Sequence, residues 1–433
     1  MSNPATSIRD LIPSRDQLLA EIANANRFTM PLVVLHLFAI VVVAFFVDWV
    51  SVANNPWLYL AAISAVLGPF VAQILRILAQ NKKEIGDLRE TTWFGVFDKH
   101  LLRELFDDTL KKLGLPNEQI PVYITADRTL NAYASHVGLG FLSRRLNGIY
   151  LNRQLLHKLE PAEVQDTMGH ELGHYYAHYL KRSRYRFLSC LLGGVLAIAV
   201  AQWMGLDLIF GYLALLCVAS VAFYFTSAAR TDHVQMIEYL CDDFGAHVNG
   251  VETGINALMK LGAAGEIETT IFFESILSNQ FANLSAAEIL ETLQQAIPYG
   301  HVSPEELQQA IGSQLKKKAS QGASIAGFLK YAWDADDEED VDERLEQQAK
   351  IYQKIRQSPR LDWESLLDDP TRINFTGEKL EQLIEMIESN PGVPLFHQLP
   401  ADQRAQTHPP TKLRILYLWY NRQAIASSPA LPS

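Results

Sequence analysis

The sequence predicts a mainly helical membrane protein with four transmembrane helices, a domain that mixes helices with a few strands, and a helical C-terminal extension. Two observations carry this prediction. Four long apolar runs occur in two closely spaced pairs, and the polar remainder of the chain is mostly of helical pattern. The hydrophobic content of 48% and the mean hydropathy of +0.02 are also high for a soluble protein.

The apolar runs have the length of membrane spans. The first pair comprises Met30–Phe46 and Trp57–Leu78, and the second comprises Phe187–Met204 and Leu208–Ala229. Each is near the ~20 residues that a helix needs to cross the hydrocarbon layer. Burial in a soluble core is the competing interpretation, but four runs in tight pairs favour two membrane hairpins in a lipid bilayer.

Lysine and arginine predict the orientation of these spans. Cations lie before the first run, after the second and before the third, whereas the connectors within each pair carry none. These cations are Arg9, Arg15, Arg27, Arg76, Lys82, Lys83, Lys181, Arg182, Arg184 and Arg186. The positive-inside rule then places both termini and the segment between the hairpins in the cytosol. Without a cleavage signal, the first run is expected to be an anchor.

The stretch "TMGHELGHYYAHYL", from Thr167 to Leu180, indicates a metal site. His170 and His174 lie four residues apart, so they share one helical face and reach the same ion. Two imidazoles suit zinc, and Glu171 beside the first ligand can take a proton from a zinc-bound water. This is the HExxH arrangement of zinc peptidases, with a chance occurrence as the alternative.

A later helix supplies the expected third ligand. In "IEYLCDDFGAH", Glu238 and Asp242 are four residues apart and share a face. We assign Glu238 to the metal and Asp242 to orienting a ligating histidine. Alone, the pair would indicate a solvated helical face. Cys241 points off that face and is not expected to ligate, and the three cysteines give no disulfide framework.

Three short strands are predicted before the HExxH helix, in "PVYIT", "NAYASHVGLGFLS" and "GIYLN". An edge strand there can hold an extended substrate by backbone pairing and lay its scissile bond across the metal. The stretch "LNAYASH" is the candidate edge strand. Its predicted substrate-binding residues are Asn131, Ala132, Tyr133 and Ala134.

Charge narrows the choice of partners. The net charge of −11 argues against nucleic acid. Much of it lies in Asp334–Glu343, which is expected to be a solvated loop, with a protein-docking segment as the alternative. Near the C-terminus, "THPPTKLRILYL" contains His408 and Arg414, which could reach back to the site or be structural.

The motifs together resemble the HtpX-type membrane metalloproteases and, more distantly, the zinc CAAX prenyl proteases. The likeness rests on their order: "LNAYA", "GHELGH", a membrane hairpin, Glu238 with Asp242, and "HPPTKLR". It covers roughly residues 30–250 and the last stretch to about Tyr420. Four spans fit the HtpX type better than the many-spanning prenyl proteases.

This resemblance implies a zincin-like (gluzincin) α+β catalytic domain on a membrane anchor, with one zinc ion per chain. It implies that His170, His174 and Glu238 bind zinc and that Glu171 is the general base. Asp242 would orient a zinc-ligating histidine without binding the metal itself, and the "NAYA" strand would bind substrate. His408 and Arg414 would stand near the site to help stabilise the oxyanion.

The sequence departs from the family pattern in two places. The arginine that usually precedes the third ligand is missing from "HVQMIEY". A segment of about 150 residues separates Glu238 from the C-terminal motif "HPPTKLR". Short HtpX-type proteins have a much shorter connection at this place. We expect this segment to form a helical cap over the cleft or to receive a partner.

The predicted function is that of a membrane-embedded zinc endopeptidase in membrane-protein quality control, acting on unfolded or membrane protein substrates. The expected location is a bacterial inner membrane, with the active site facing the cytosol. Two alternatives stay open: a specific CAAX-type processing protease, and a non-catalytic membrane scaffold built on the zinc fold. An intact Glu171 beside intact ligands argues against the scaffold.

The predicted organisation follows the chain in order. It comprises a cytosolic arm (1–29), a transmembrane hairpin (30–78), the first part of the catalytic domain (79–186), a second hairpin (187–229), the third-ligand helix (230–250), a helical insertion or cap (251–400) and a C-terminal segment (401–433).

Overall fold

A computed structural model describes residues 8–27, 29–54, 74–115, 120–126, 130–135, 146–178, 186–203, 231–277, 358–369, 372–397 and 408–430. Within these ranges the protein is mainly helical. The helices are α1 (Arg15–Asn26), α2 (Thr29–Ala44), α3 (Trp49–Asn54), α4 (Lys99–Lys112), α5 (Arg153–Lys158), α6 (Pro161–Leu172), α7 (Arg186–Trp203), α8 (Thr231–Asn249), α9 (Val251–Leu277), α10 (Glu378–Ser389) and α11 (Thr411–Ser427). Short 3₁₀ turns cover Ile8–Leu11, Ile85–Asp87 and Trp363–Leu366.

One small sheet lies ahead of α6. Its strands are β1 (Lys82–Glu84), β2 (Val122–Thr125), β3 (Ala132–Ser135) and β4 (Gly148–Asn152). They are ordered β1-β2-β4-β3, with β2 and β4 parallel and the other two pairs antiparallel. Three of these strands were predicted, and β1 was not. As expected, β3 is an edge strand among the described residues.

The two faces of the sheet pack against different parts of the chain. One face carries Val122, Ile124, Ile149 and Leu151 into a core shared with α4 and α6. The opposite face carries a row of three tyrosines. Tyr150 on β4 is paired in register with Tyr123 on β2 and with Tyr133 on β3. Ile74 and Ile77, in a helical segment at 74–79, cover this row. The end of the second predicted span therefore rests on the sheet.

A second core joins both ends of the chain to the middle. It contains Ile8, Leu18 and Ile22 of the N-terminal arm together with apolar residues of α8, α9, α10 and α11. The arm is therefore packed into the protein body.

The predicted insertion is partly described. Its first residues form α9, and its last residues bring Trp363, Phe375 and Phe396 into the same core as α8 and α11. An added Cβ on Gly262 of α9 would meet the Phe396 ring at 2.2 Å, so this packing is tight. The two ends of the insertion are thus part of the body of the protein. The acidic run Asp334–Glu343 lies outside the described residues.

Membrane spans are supported for only part of the prediction. Among the described residues, one helical stretch, Ile8–Ala44, is long and apolar enough to cross a membrane, and α2 is its apolar part. In α7, which covers the third predicted span, the apolar portion is the shorter Leu191–Val200. Most of the second predicted span and the whole fourth span lie outside the described residues. Four transmembrane helices are therefore not confirmed.

The two apolar helices α2 and α7 lie side by side. Beyond the end of α2, the backbone N–H of Asp48 donates to the Gln202 side chain (2.8 Å), and the Gln202 amide donates back to the Asp48 carbonyl (3.2 Å). Because Gln202 lies at the end of α7, the two helices end at the same level and run in the same direction.

Candidate metal centre

The HExxH helix starts from a well-defined N-terminus. Pro161 occupies the first turn, where no backbone donor is needed, and the Glu160 N–H donates to Glu163 (2.8 Å) in a capping box. Glu163 also pairs with the buried Lys260 of α9 at 2.6 Å. These contacts fix α6 two turns before the first candidate ligand.

The last turn of this helix is wider than an α-helix. A π-helical turn covers Gly173–Ala177 and carries His174, whereas His170 lies on α6 itself. Single π turns of this kind occur frequently at functional sites.

Glycines allow α8 to approach the HExxH helix closely. An added Cβ on Gly169 would lie 2.9 Å from the Cα of Gly245, and one on Gly173 would lie 3.1 Å from the Cα of Cys241. Real Cβ atoms need more space than this. The two glycines that precede the histidines in "GHELGH" therefore bring Glu238 on α8 within reach of the metal site.

Three side chains converge on one point. His170 Nε2 and His174 Nε2 are 3.2 Å apart. The two carboxylate oxygens of Glu238 lie 3.6 Å from His170 Nε2 and 3.4 Å from His174 Nε2. Zinc bonds of 2.0–2.1 Å at tetrahedral angles separate ligand atoms by about 3.4 Å. The three side chains therefore fit a zinc ion, and the predicted ligand set is brought together.

Asp242 lies behind the first ligand. His170 Nδ1 is 2.9 Å from Asp242 Oδ1, which fixes the imidazole and directs Nε2 towards the other ligands. Arg414 of α11 donates to both Asp242 oxygens, at 2.7 and 2.5 Å. Arg414 was predicted to help stabilise the oxyanion. In the structure its guanidinium contacts Asp242, the residue that contacts His170, and its part in oxyanion stabilisation stays a prediction.

Burial and charge separate the two histidines. Burial opposes the charge of His170, but its contacts with Asp242 and Glu238 outweigh burial and raise its pKa to about 10. Burial, and then the charge of His170, lower the pKa of His174 to about 4. For Glu238, contact with the histidines outweighs burial and lowers the pKa to about 2. Without a metal, one proton therefore remains at His170.

The predicted general base is buried beside the site. Glu171 is 5% exposed, and this burial raises its pKa to about 7. Its carboxylate accepts the backbone N–H of Ala134 in β3. The Asn152 N–H donates to the Asn131 carbonyl, so Asn131 is a residue that bonds to β4. In an antiparallel pair every second residue bonds to the partner strand, and Ala134 is therefore a residue that does not. Its N–H points to the free edge of the sheet.

The predicted substrate strand thus borders the site. Ala132 and Ala134 lie on the face of the sheet that packs towards α6, whereas Tyr133 lies on the other face. The Tyr133 ring stacks on Tyr150, and its hydroxyl donates to Gln80. The backbone of this strand, rather than the Tyr133 side chain, is placed to meet a bound peptide.

His408 also reaches the centre from the C-terminal motif. Its Nδ1 is 3.2 Å from Glu238 Oε1, and its side chain is 59% exposed. Desolvation lowers the pKa of His408. It lies beside the third ligand, close to the position that was predicted for it.

A neighbouring side of α8 carries a second buried group that the sequence did not indicate. Asp243 pairs with Arg15 of α1 at 2.6 Å and with His247 at 2.9 Å. The Tyr417 hydroxyl donates to Asp243 at 3.4 Å. The consecutive aspartates in "CDDFG" were the available signal for Asp243. No local signal marks Arg15, because its partner lies 228 residues away.

Comparison with known protein families gives a match. A family model described as peptidase family M48 matches residues 98–420. This range contains the three candidate ligands, Glu171 and Asp242, and the late motif. Neither the curated proteins nor the solved structures give a match.

Proposed function

The chain belongs to peptidase family M48, and we propose that it is an HtpX-type zinc endopeptidase of a membrane, with a role in membrane-protein quality control. The family indicates a metalloprotease. The observation that carries the proposal is the convergence of His170, His174 and Glu238 at zinc-ligand separations, with Glu171 beside them.

Bound zinc would lower the pKa of a water molecule and polarise a peptide carbonyl. The carboxylate of Glu171, which is buried beside the three candidate ligands, accepts the proton of the attacking water. Glu171 then gives the proton to the leaving nitrogen. Asp242 and Arg414 keep His170 oriented throughout.

The edge strand β3 orients the substrate. An extended peptide that pairs with β3 takes the Ala134 N–H that Glu171 accepts in this structure. Substrate pairing therefore releases the carboxylate for proton transfer. Because this recognition uses backbone groups, it suits unfolded segments of many sequences, as a quality-control protease requires.

The apolar helices support a membrane location. Val34, Leu35 and Phe38 of α2 are 60%, 58% and 66% exposed, which is costly in water and favourable in lipid. Trp49 and Trp203 are exposed near the Asp48–Gln202 contact, where α2 and α7 end. Tryptophan is enriched at membrane interfaces, so the ends of α2 and α7 suit the bilayer surface on the side away from the metal centre.

The contact between Arg15 and Asp243 bears on the orientation. It requires residues before α2 to lie on the same side of the membrane as the candidate metal centre. If α2 crosses the bilayer, the chain has to cross back before α4. This agrees with the positive-inside rule, by which the metal centre faces the cytosol, and we place the protein in a bacterial inner membrane.

Replacement of the base tests the enzymatic proposal. Glu171→Gln keeps the shape of the site but removes the proton acceptor. We expect the purified full chain to bind about one zinc per chain in both forms, while cleavage of casein falls by roughly 10²–10⁴-fold in the variant. Equal cleavage by both proteins would exclude Glu171 as the base. Zinc binding without cleavage of any peptide by the wild type would exclude a broad endopeptidase.

Extraction tests the membrane proposal. Membranes containing the protein are washed with alkaline carbonate and then dissolved in detergent. We expect the protein only in the detergent fraction, because α2 would otherwise expose its apolar face to water. Recovery in the carbonate wash would contradict an integral membrane location.

A further inference from the structure

The N-terminal arm reaches the back of the third-ligand helix. The Arg15 Nε donates to Asp243 Oδ2 at 2.6 Å, with the two side chains 8% and 2% exposed. Another nitrogen of the guanidinium donates to the Pro429 carbonyl at 3.0 Å. The guanidinium of Arg15 thus joins the arm to α8 and to the last described residues of the chain.

We propose that Arg15 is a positioning residue for the metal centre, which it holds in place through Asp243 on α8. The proposal rests on the zinc site described above. Glu238 and Asp242 both belong to α8, so any rotation or shift of this helix moves one ligand and the support of another. Asp243 is the adjacent residue and is fixed by Arg15 on a side about 100° further round the helix.

Helix α11 contacts both Asp242 and Asp243 of α8 and also the arm. Arg414, Tyr417 and Asn421 recur at the spacing of one helical face. Arg414 donates to Asp242, the Tyr417 hydroxyl donates to Asp243, and the Asn421 side chain accepts the backbone N–H of Arg15. A displacement of the arm is therefore transmitted to the group that orients His170.

The buried charge of Asp243 makes its contact with Arg15 important for stability. Two consecutive buried carboxylates on α8 each need a cation, because an unpaired buried charge is strongly unfavourable. Arg414 already donates to both oxygens of Asp242. Without Arg15, Asp243 keeps His247 and the Tyr417 hydroxyl but loses its arginine partner. A shift of α8 that brings Asp243 towards water would then disturb the ligand geometry.

The test measures metal affinity rather than cleavage. Full-length protein in detergent is stripped of metal with a chelator, titrated with zinc against a chromophoric competitor, and titrated with Co²⁺ to record its absorption spectrum. Arg15→Met is expected to weaken zinc binding about tenfold, the lower end of the effect of removing supporting groups at metal sites, and to change the cobalt spectrum. Arg15→Lys keeps the charge and is expected to restore most of the affinity.

Arg360→Met is the matched control. Arg360 is 11% exposed and pairs with Glu364 and Glu266, so its loss also breaks a buried ion pair in the same protein. The control is expected to lower the denaturation midpoint but to keep wild-type zinc affinity. The proposal is overturned if Arg15→Met binds zinc like the wild type. It is equally overturned if Arg360→Met destabilises the protein as much as Arg15→Met does and also weakens zinc binding as much as Arg15→Met does.

A milder variant covers the case in which Arg15→Met does not fold. Tyr417→Phe removes only the hydroxyl that donates to Asp243. A two- to threefold weaker zinc affinity, about the size of one lost hydrogen bond, is expected with an altered cobalt spectrum. An unchanged affinity and spectrum would overturn the proposal. A chain that binds zinc normally but cleaves nothing would contradict the proposed protease function alone.

Discussion

Asp242 and Asp243 are neighbours in the chain, both buried and both paired with an arginine, yet they belong to different regions of the molecule. Asp242 faces the metal centre, where it contacts His170 and Arg414. Asp243 faces the chain ends, where it contacts Arg15. One residue along a helix turns the side chain by about 100°, which is enough to separate the two surroundings. The same chemical group thus orients a ligand in one region and joins distant segments in the other.

Replacement of each aspartate gives the sharpest test of this difference. Asp242→Asn removes the charge that orients His170 and leaves Arg414 unpaired. We expect zinc affinity to fall by roughly 10–100-fold, as it does when supporting groups of metal ligands are removed. Asp243→Asn should weaken zinc by about tenfold at most, since it acts through the position of α8. Competition with a chelator measures both, and equal losses would erase the distinction between the two regions.

Proton release distinguishes the two regions further. His170 has a pKa of about 10 without metal, because its contacts with Asp242 and Glu238 outweigh burial. It is therefore protonated at pH 7.5 and has to lose its proton to bind zinc, so affinity should rise about tenfold per pH unit below that pKa.

Calorimetry in buffers of different ionisation enthalpy gives the number of protons released. The wild type should release about one proton from His170, and Asp242→Asn should release less, because the main support of the charged imidazole is gone. The Asp243→Asn protein serves as the control and should release as many protons as the wild type. The interpretation fails if Asp242→Asn does the same.

The smallest expected effect lies on the Asp243 side. Burial opposes the charge of His247, but Asp243 outweighs burial and raises its pKa above 6.5. The charged imidazole therefore stabilises the fold fully below pH 6.5, and this contribution is lost as pH rises through the raised pKa. His247→Gln should cost about 1 kcal/mol at pH 6 and less at higher pH. Denaturant titrations at several pH values measure it, and a cost that grows with pH would have the wrong sign.

The sequence predicted the residues that meet through local spacing. His170, Glu171 and His174 were placed by their helical period, and Glu238 with Asp242 by the same rule on a later helix. The edge position of β3 was expected from the strand pattern of "LNAYASH" ahead of the HExxH helix, and it agrees with the sheet order. The structure brings the three candidate ligands together. Each spacing rule concerns residues within one turn or one strand, whereas the approach of the two helices depends on the packed fold.

Long-range contacts could not be predicted in this way. Arg15 has the appearance of one more surface cation before an apolar run, and only the packed fold brings it to Asp243. Arg414 was expected near the site, but spacing does not say which carboxylate it faces, and the structure directs it to Asp242. The apolar length of Leu208–Ala229 predicted a span, and this segment lies outside the described residues.

The meeting of Arg15 with Pro429 has a consequence for the timing of synthesis. The two residues are 414 positions apart. A ribosome that adds about 5–20 residues per second needs roughly 20–80 s to cover that distance. Throughout this time the arm lacks the partner that α11 provides, and the two aspartates lack theirs from their own synthesis until that of α11. We therefore expect the metal centre to mature only after α11 has been synthesised, so that the growing chain is still inactive beside the other nascent proteins at the ribosome.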